Sequence, residues 1–277
     1  MRTTLSALLV ILSLLVAAVA GPALWLQRNV ADQAGFVALA GPLGSNKEFQ
    51  EGLTAMLVAQ STASLNLPPQ LNELAGAVIN SATRNLYTDP GYAAAWTQTL
   101  QRSHQLTFDA AGNTEIEGDV LLDIAPLLGL IAANVGADLG INLPVPPDAV
   151  VSVEQPKVAS LLPMVTMLGG WSGWLVFIAV ALLVLSVIVA RRRGLTLVLA
   201  GVGLAAVALV WLLASSFVQT VLAGLAVGPE VAQQVGVELG TLARASWRGG
   251  INATFGIAAV VAVAGVATLV VKRRRTT

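Results

Sequence analysis

Few residues in this chain have the type and spacing to do chemistry, and the densest group is acidic. Glu115, Glu117, Asp119 and Asp123 fall within one short stretch. Alternate residues of a strand share a face, so their oxygens could gather around a hard cation such as calcium. The stretch lacks the D-x-D-x-D-G spacing of a calcium loop, and acids alternating with Ile116 and Val120 also describe a strand with one side in water. The solvated strand is the preferred reading; a metal held here would take Glu115, Glu117 and Asp119 as ligands. His104 is the only histidine and cysteine is absent, a combination that cannot furnish a zinc site, a disulfide or a thiolate nucleophile. No G-x-S-x-G turn accompanies His104, so it is expected to be a packed helix histidine. Gly41-Pro42-Leu43-Gly44-Ser45 enters a helix, where free N–H groups could hold an anion. Without a Walker lysine or G-x-G-x-x-G spacing, it is expected to be a plain loop with an N-cap. No catalytic residue and no cofactor are expected, and the chain is read as a non-enzyme.

The elements that must position these residues are dominated by four apolar runs: Leu5 to Leu26, Gly170 to Ala190, Leu195 to Phe217 and Ile251 to Val271. Each reaches the roughly 20 residues needed to span a bilayer core. The composition, 56% hydrophobic and 11% charged, is too apolar for an ordinary soluble domain. Charge is sorted by the runs. Arg2, Arg191, Arg192, Arg193, Lys272, Arg273, Arg274 and Arg275 occupy one side, and all fifteen acidic residues fall in the two segments on the other. By the positive-inside rule the basic side is cytoplasmic, both termini are inside, and the chain is a multi-pass plasma-membrane protein. Trp25, Trp171, Trp174, Trp211 and Trp247 all fall toward the opposite end of the runs. There an indole can anchor at the outer interface. The first run also resembles a signal peptide with Ala18-Val19-Ala20 as a cleavage site. It exceeds the usual 7–15-residue apolar region, so retention as an anchor is expected. No Asp, Glu, Lys, Arg or His interrupts the runs, which argues against transport. Gly201-x-x-x-Ala205 and Ala258-x-x-x-Ala262 are small-residue pairs that permit close helix approach.

Residues 27–169 are expected to form one extracytoplasmic domain. Ser45-x-x-Glu48 has capping-box spacing before a helix from about Asn46 to Thr62. Pro68-Pro69 can start a second helix, and Asp89-Pro90 a third in which Tyr92, Trp96 and Leu100 stack. Leu106 and Phe108, a turn at 110–113 and the alternation through Val120 predict a β-hairpin, with Ile116, Val120, Leu122 and Ile124 facing the core. Residues 149–153 could add a third strand. The expected fold is four transmembrane helices (1–26, 170–190, 195–217, 251–271) plus a helix-dominated α+β domain with a small antiparallel sheet. A helical loop at 218–250 and a basic tail at 272–277 complete it.

Ala94-Ala95-Trp96 with His104, the passage Gly118-Asp119-Val120-Leu121-Leu122-Asp123-Ile124-Ala125-Pro126, and Arg191-Arg192-Arg193 after the second run carry a resemblance. The layout resembles a group of uncharacterised actinobacterial integral membrane proteins with one N-terminal span, an outside domain and three C-terminal spans. Twelve arginines against three lysines fit such a source. The resemblance implies no activity. It gives His104 and Asp123 some weight as fold-specifying polar residues. The leading expectation is an accessory or assembly subunit of a larger membrane or envelope complex, for example a respiratory one, with membrane lipids around it and a membrane-protein partner at the outer face. No nucleic acid partner is expected. The alternative is an extracytoplasmic module that binds or senses a lipid, glycan or cation, which would require a concave site of about 300 Å³ or more.

Overall fold

The computed structural model describes residues 2–65, 80–81, 83–110, 119–140, 149–154, 160–225 and 230–274. In chain order the elements are α1 (Arg2–Leu26), a π turn (Gln27–Ala31), α2 (Gln33–Ala40), a 3-10 turn (Gly41–Ser45) and α3 (Lys47–Leu65). Then come α4 (Tyr92–Ala110), β1 (Asp119–Asp123), α5 (Ala125–Leu139), β2 (Val150–Glu154), α6 (Leu162–Val189), α7 (Arg193–Leu225) and α8 (Glu230–Arg274). Two units divide the chain: Met1–Asp32 with Pro163–Val221 and Thr241–Thr277, and Gln33–Leu162 with Leu222–Gly240.

The first unit contains four helices long and apolar enough to cross a membrane, over Arg2–Ala31, Leu162–Val189, Arg193–Phe217 and Val237–Lys272. They are joined by two seams of small residues. On α1, Ser6, Ser13 and Ala20 are buried; on α6, Ser172, Ala179 and Ser186 are buried. Both triplets recur every seventh residue, the period that keeps one stripe facing a partner along the whole helix. The Ser6 hydroxyl donates to the Ser186 carbonyl at 3.0 Å and the Ser13 hydroxyl to the Ala179 carbonyl at 2.7 Å, which makes the two helices antiparallel. The second seam repeats the device: Gly194, Gly201 and Ala208 of α7 face Ile251, Ala258 and Gly265 of α8, again at sevens and again buried. A β-carbon on Gly201 would lie 2.7 Å from the Ala258 carbonyl oxygen, and one on Gly265 would lie 2.8 Å from the Gly194 carbonyl oxygen. The backbones therefore touch, as small residues permit.

α1 and α7 run parallel and are locked by a backbone defect. Pro22 lies inside α1 and has no N–H, so the Ala18 carbonyl lacks its helical donor. The Trp211 indole supplies that donor across the interface, at 3.0 Å. Its ring lies over Gly21, where no β-carbon could fit. The larger side chains at the open faces, Leu8, Trp174, Phe177, Leu213 and Val260 among them, are exposed.

The second unit is built around α4. Its buried stripe of Tyr92, Ala95, Trp96, Thr99, Leu100, Ser103, His104 and Thr107 keeps helical spacing. β1 pairs with β2 antiparallel, Asp119 opposite Glu154 and Asp123 opposite Val150. The other edge of β1 meets the hydroxyls of α4. Thr107 Oγ1 both donates to the Leu121 carbonyl and accepts from the Leu121 N–H, at 3.2 Å, and Ser103 Oγ accepts from the Asp123 N–H at 2.9 Å. A strand edge that would otherwise be an open template is thereby closed. Ile124 and Leu127, both fully buried, pack where β1 turns into α5.

The small antiparallel sheet is as the sequence suggests, but its pairing is not. α4 continues through Ala110, so Leu106 and Phe108 are helical rather than the first arm of a hairpin, and β1 pairs with the 150–154 strand. Phe108 lies one turn beyond His104 and stacks on it at 4.3 Å, an i, i+4 contact that only the helix allows. The 110–113 turn lies partly and Ile116 wholly outside the described residues, as does most of the helix expected after Pro68-Pro69; residues 83–86 are helical. The cap of α3 is Asn46 rather than Ser45, because Asn46 Oδ1 accepts the Phe49 N–H at 3.1 Å while Ser45 lies in the 3-10 turn. Asp89 sits in the turn ahead of α4, its carboxylate accepting the Gly91 N–H at 2.6 Å. The apolar helices also outrun the expected spans: α6 begins at Leu162, and the helix through much of the segment expected as a helical loop is continuous with the last span, α8 running unbroken from Glu230.

Candidate functional site

The side chains able to do chemistry in the second unit are held by its own packing. His104 is buried between Phe36, at 5.2 Å, and Phe108. Asp123 is buried as well. Its Oδ1 accepts the Ala125 N–H at 2.9 Å, satisfying one of the unpaired donors that open α5, and Oδ2 lies 3.6 Å from Arg102. Glu115 and Glu117 lie outside the described residues, and Asp119 begins β1 opposite Glu154. Among the described residues no three His, Cys, Asp or Glu side chains come close enough to share a metal ion.

The Gly41–Ser45 turn is a centre of hydrogen bonding, but through its carbonyls. Trp96 donates its indole N–H to the Gly41 carbonyl at 3.0 Å, and the Gly44 carbonyl accepts from Tyr92 Oη at 3.0 Å and Gln50 Nε2 at 2.7 Å. A β-carbon on Gly44 would sit 2.5 Å from the Trp96 ring. Carbonyl oxygens repel anions, so these contacts give the turn a role in packing the aromatics. Tyr87 donates to the Gln50 carbonyl at 2.6 Å and meets Tyr92 edge-on at 5.2 Å. Burial raises the pKa of Tyr87, against lowering contributions from Thr54 and Arg84. Burial, with Tyr87 close by, raises that of Tyr92 well beyond the usual phenol range.

In the first unit the antiparallel seams gather residues by end. Arg2, Arg191, Arg192, Arg193, Lys272 and Arg274 come to one end of the helices, and all five expected anchor tryptophans to the other; Arg275 lies outside the described residues. The tryptophans then divide. Trp171 and Trp174 are 61% and 63% exposed. Trp25, Trp211 and Trp247 instead form one cluster, Trp247 lying 5.3 Å from Trp25 and 6.3 Å from Trp211. A hydrogen-bond chain fastens it: Trp25 Nε1 to Ser246 Oγ at 3.3 Å, Ser246 Oγ to Asn29 Oδ1 at 3.0 Å, and Asn29 Nδ2 to the Trp25 carbonyl at 2.9 Å.

At the basic end a groove of about 330 Å³ opens between α1 and the turn from α6 into α7. Thr3, Arg191, Arg192 and Thr196 line one part of it, and Val10, Ile11, Leu14, Leu195 and Leu199 the rest. Neither the groove nor the paired seams was anticipated from sequence. The heptad of Ser6, Ser13 and Ala20 against Ser172, Ala179 and Ser186 was the available signal for the first pair of helices. No family model, curated protein or solved structure matches the chain.

Proposed function

We propose that the protein is a non-enzymatic integral membrane protein whose four helices hold the α+β unit at the outer face of the plasma membrane, as an accessory or assembly subunit of a larger complex. One observation carries the reading: the side chains with chemical potential are committed to structure. Asp123 caps α5, His104 is sandwiched by phenyl rings, Tyr92 and Trp96 bind the Gly41–Ser45 turn, and Tyr87 binds the Gln50 carbonyl. The helix seams are likewise close-packed through small residues, which suits a fixed anchor. Sidedness follows from the sorting of charge. Basic residues at one end favour the cytoplasm, so the helix ends that carry tryptophan face outward, with both chain termini inside.

Extraction of tagged protein from its native membrane in a mild detergent, followed by quantification of co-purifying proteins, tests the role. A partner present in fixed ratio, and lost when exposed positions of the α+β unit are changed, is the expected result. Recovery of the chain alone at native abundance contradicts it.

A further inference from the structure

We infer that the groove at the basic end of the helices is a binding site for a membrane phospholipid with an anionic headgroup. Arg191 and Arg192 hold the phosphate, and one acyl chain lies against Val10, Ile11, Leu14 and Leu199. The inference rests on the membrane reading given above. Polarity changes along the groove: Thr3 and the two arginines lie where α1 begins and α7 is about to start, and the wall further along both helices is aliphatic. Its volume of about 330 Å³ reaches the lower range of small-molecule pockets. The charged side chains in the lining are arginines only, so the complementary head is negative, and a planar guanidinium matches phosphate oxygens two at a time. A soluble anion would leave the aliphatic wall uncovered. A peptide would place backbone N–H and C=O groups against a wall that offers them few partners. An amphiphile with one anionic head and an apolar tail satisfies both ends. Lys272 and Arg274 belong to the same end of the helices but do not line the groove, which separates a site from a general basic surface.

The test is native mass spectrometry of the full chain, detergent-extracted and delipidated, with phosphatidylglycerol or phosphatidylcholine added. Wild type is expected to retain phosphatidylglycerol in preference. Arg191→Gln with Arg192→Gln is expected to lower that retention about tenfold, while the same charge change at Lys272 and Arg274 alters it by less than about twofold. Ala7→Phe fills the groove without touching a charge and is expected to lower retention as well, which covers the case in which the arginine pair also disturbs insertion. Equal losses from both charge pairs, undiminished retention in Ala7→Phe, or equal retention of phosphatidylcholine would overturn the site while leaving the membrane reading intact. Recovery of the protein from a detergent-free soluble fraction would overturn both.

Discussion

Thr99 shows how a single buried atom sets a measurable cost. It is fully buried, and its hydroxyl has no hydrogen-bond partner among the described atoms. An unsatisfied buried hydroxyl costs about 1–3 kcal/mol, and removing it while keeping the shape can be neutral or stabilising. Thr99→Val is therefore expected to hold or raise the midpoint of thermal unfolding, and a fall of several degrees would contradict the burial described. The tyrosines give a pH dependence. The chain has two, Tyr87 and Tyr92, both with raised pKa. The folded state then keeps its protons where the unfolded chain, with tyrosine at about 10, loses them. The stability they contribute is complete below about pH 10 and is lost as pH rises through the folded values. Tyrosinate absorbance is expected to stay flat through the ordinary phenol range and to rise together with loss of structure. A smooth titration near pH 10 in folded protein would refute the burial of Tyr92 and the partial burial of Tyr87. At this scale the sequence shows that Tyr92, Trp96 and Leu100 share a face. It does not show the 3-10 turn that Tyr92 and Trp96 bind, because the turn's role lies in carbonyl directions that no residue type encodes.

Among the elements, α1 is the most informative, since its proline defect and its partner are separated widely in sequence. The Trp211 indole answers the Ala18 carbonyl that Pro22 leaves without a donor. In an apolar surrounding, an unanswered carbonyl is costly. A double-mutant cycle isolates this. Trp211→Phe is expected to destabilise the helices in detergent by about 1 kcal/mol more in the parent than in a Pro22→Ala background, where the helix regains its own N–H. Equal losses in both backgrounds would mean that only ring packing is involved. The two strands were each legible, but their pairing was not. Leu106 and Phe108 fit period two as easily as the period that places Phe108 over His104, and the hydroxyls of Ser103 and Thr107 decide for the helix by closing the edge of β1. The pairs Gly201-x-x-x-Ala205 and Ala258-x-x-x-Ala262 were visible. That Gly201 meets Ala258 and Ala262 was not, because small residues are common in all four helices.

For the whole molecule, the four apolar helices were the most legible feature, since length and composition alone specify them. Helix ends were less so: α7 runs to Leu225 and α8 starts at Glu230 because helical periodicity continues past the purely apolar stretch. The sorting of basic residues to one end and tryptophans to the other was read from the sequence, and the antiparallel seams agree with it by showing which helices pair. On the orientation proposed above, with the basic end in the cytoplasm, the segment 27–169 is outside. The absence of native cysteine allows a direct test with single replacements. Gln98→Cys places a thiol on an exposed position of α4, and Thr276→Cys places one in the basic tail. In intact cells a membrane-impermeant maleimide is expected to label the thiol at 98 and to reach the thiol at 276 only after permeabilisation. Labelling at 276 with protection at 98 would invert the orientation and contradict an outer-face role.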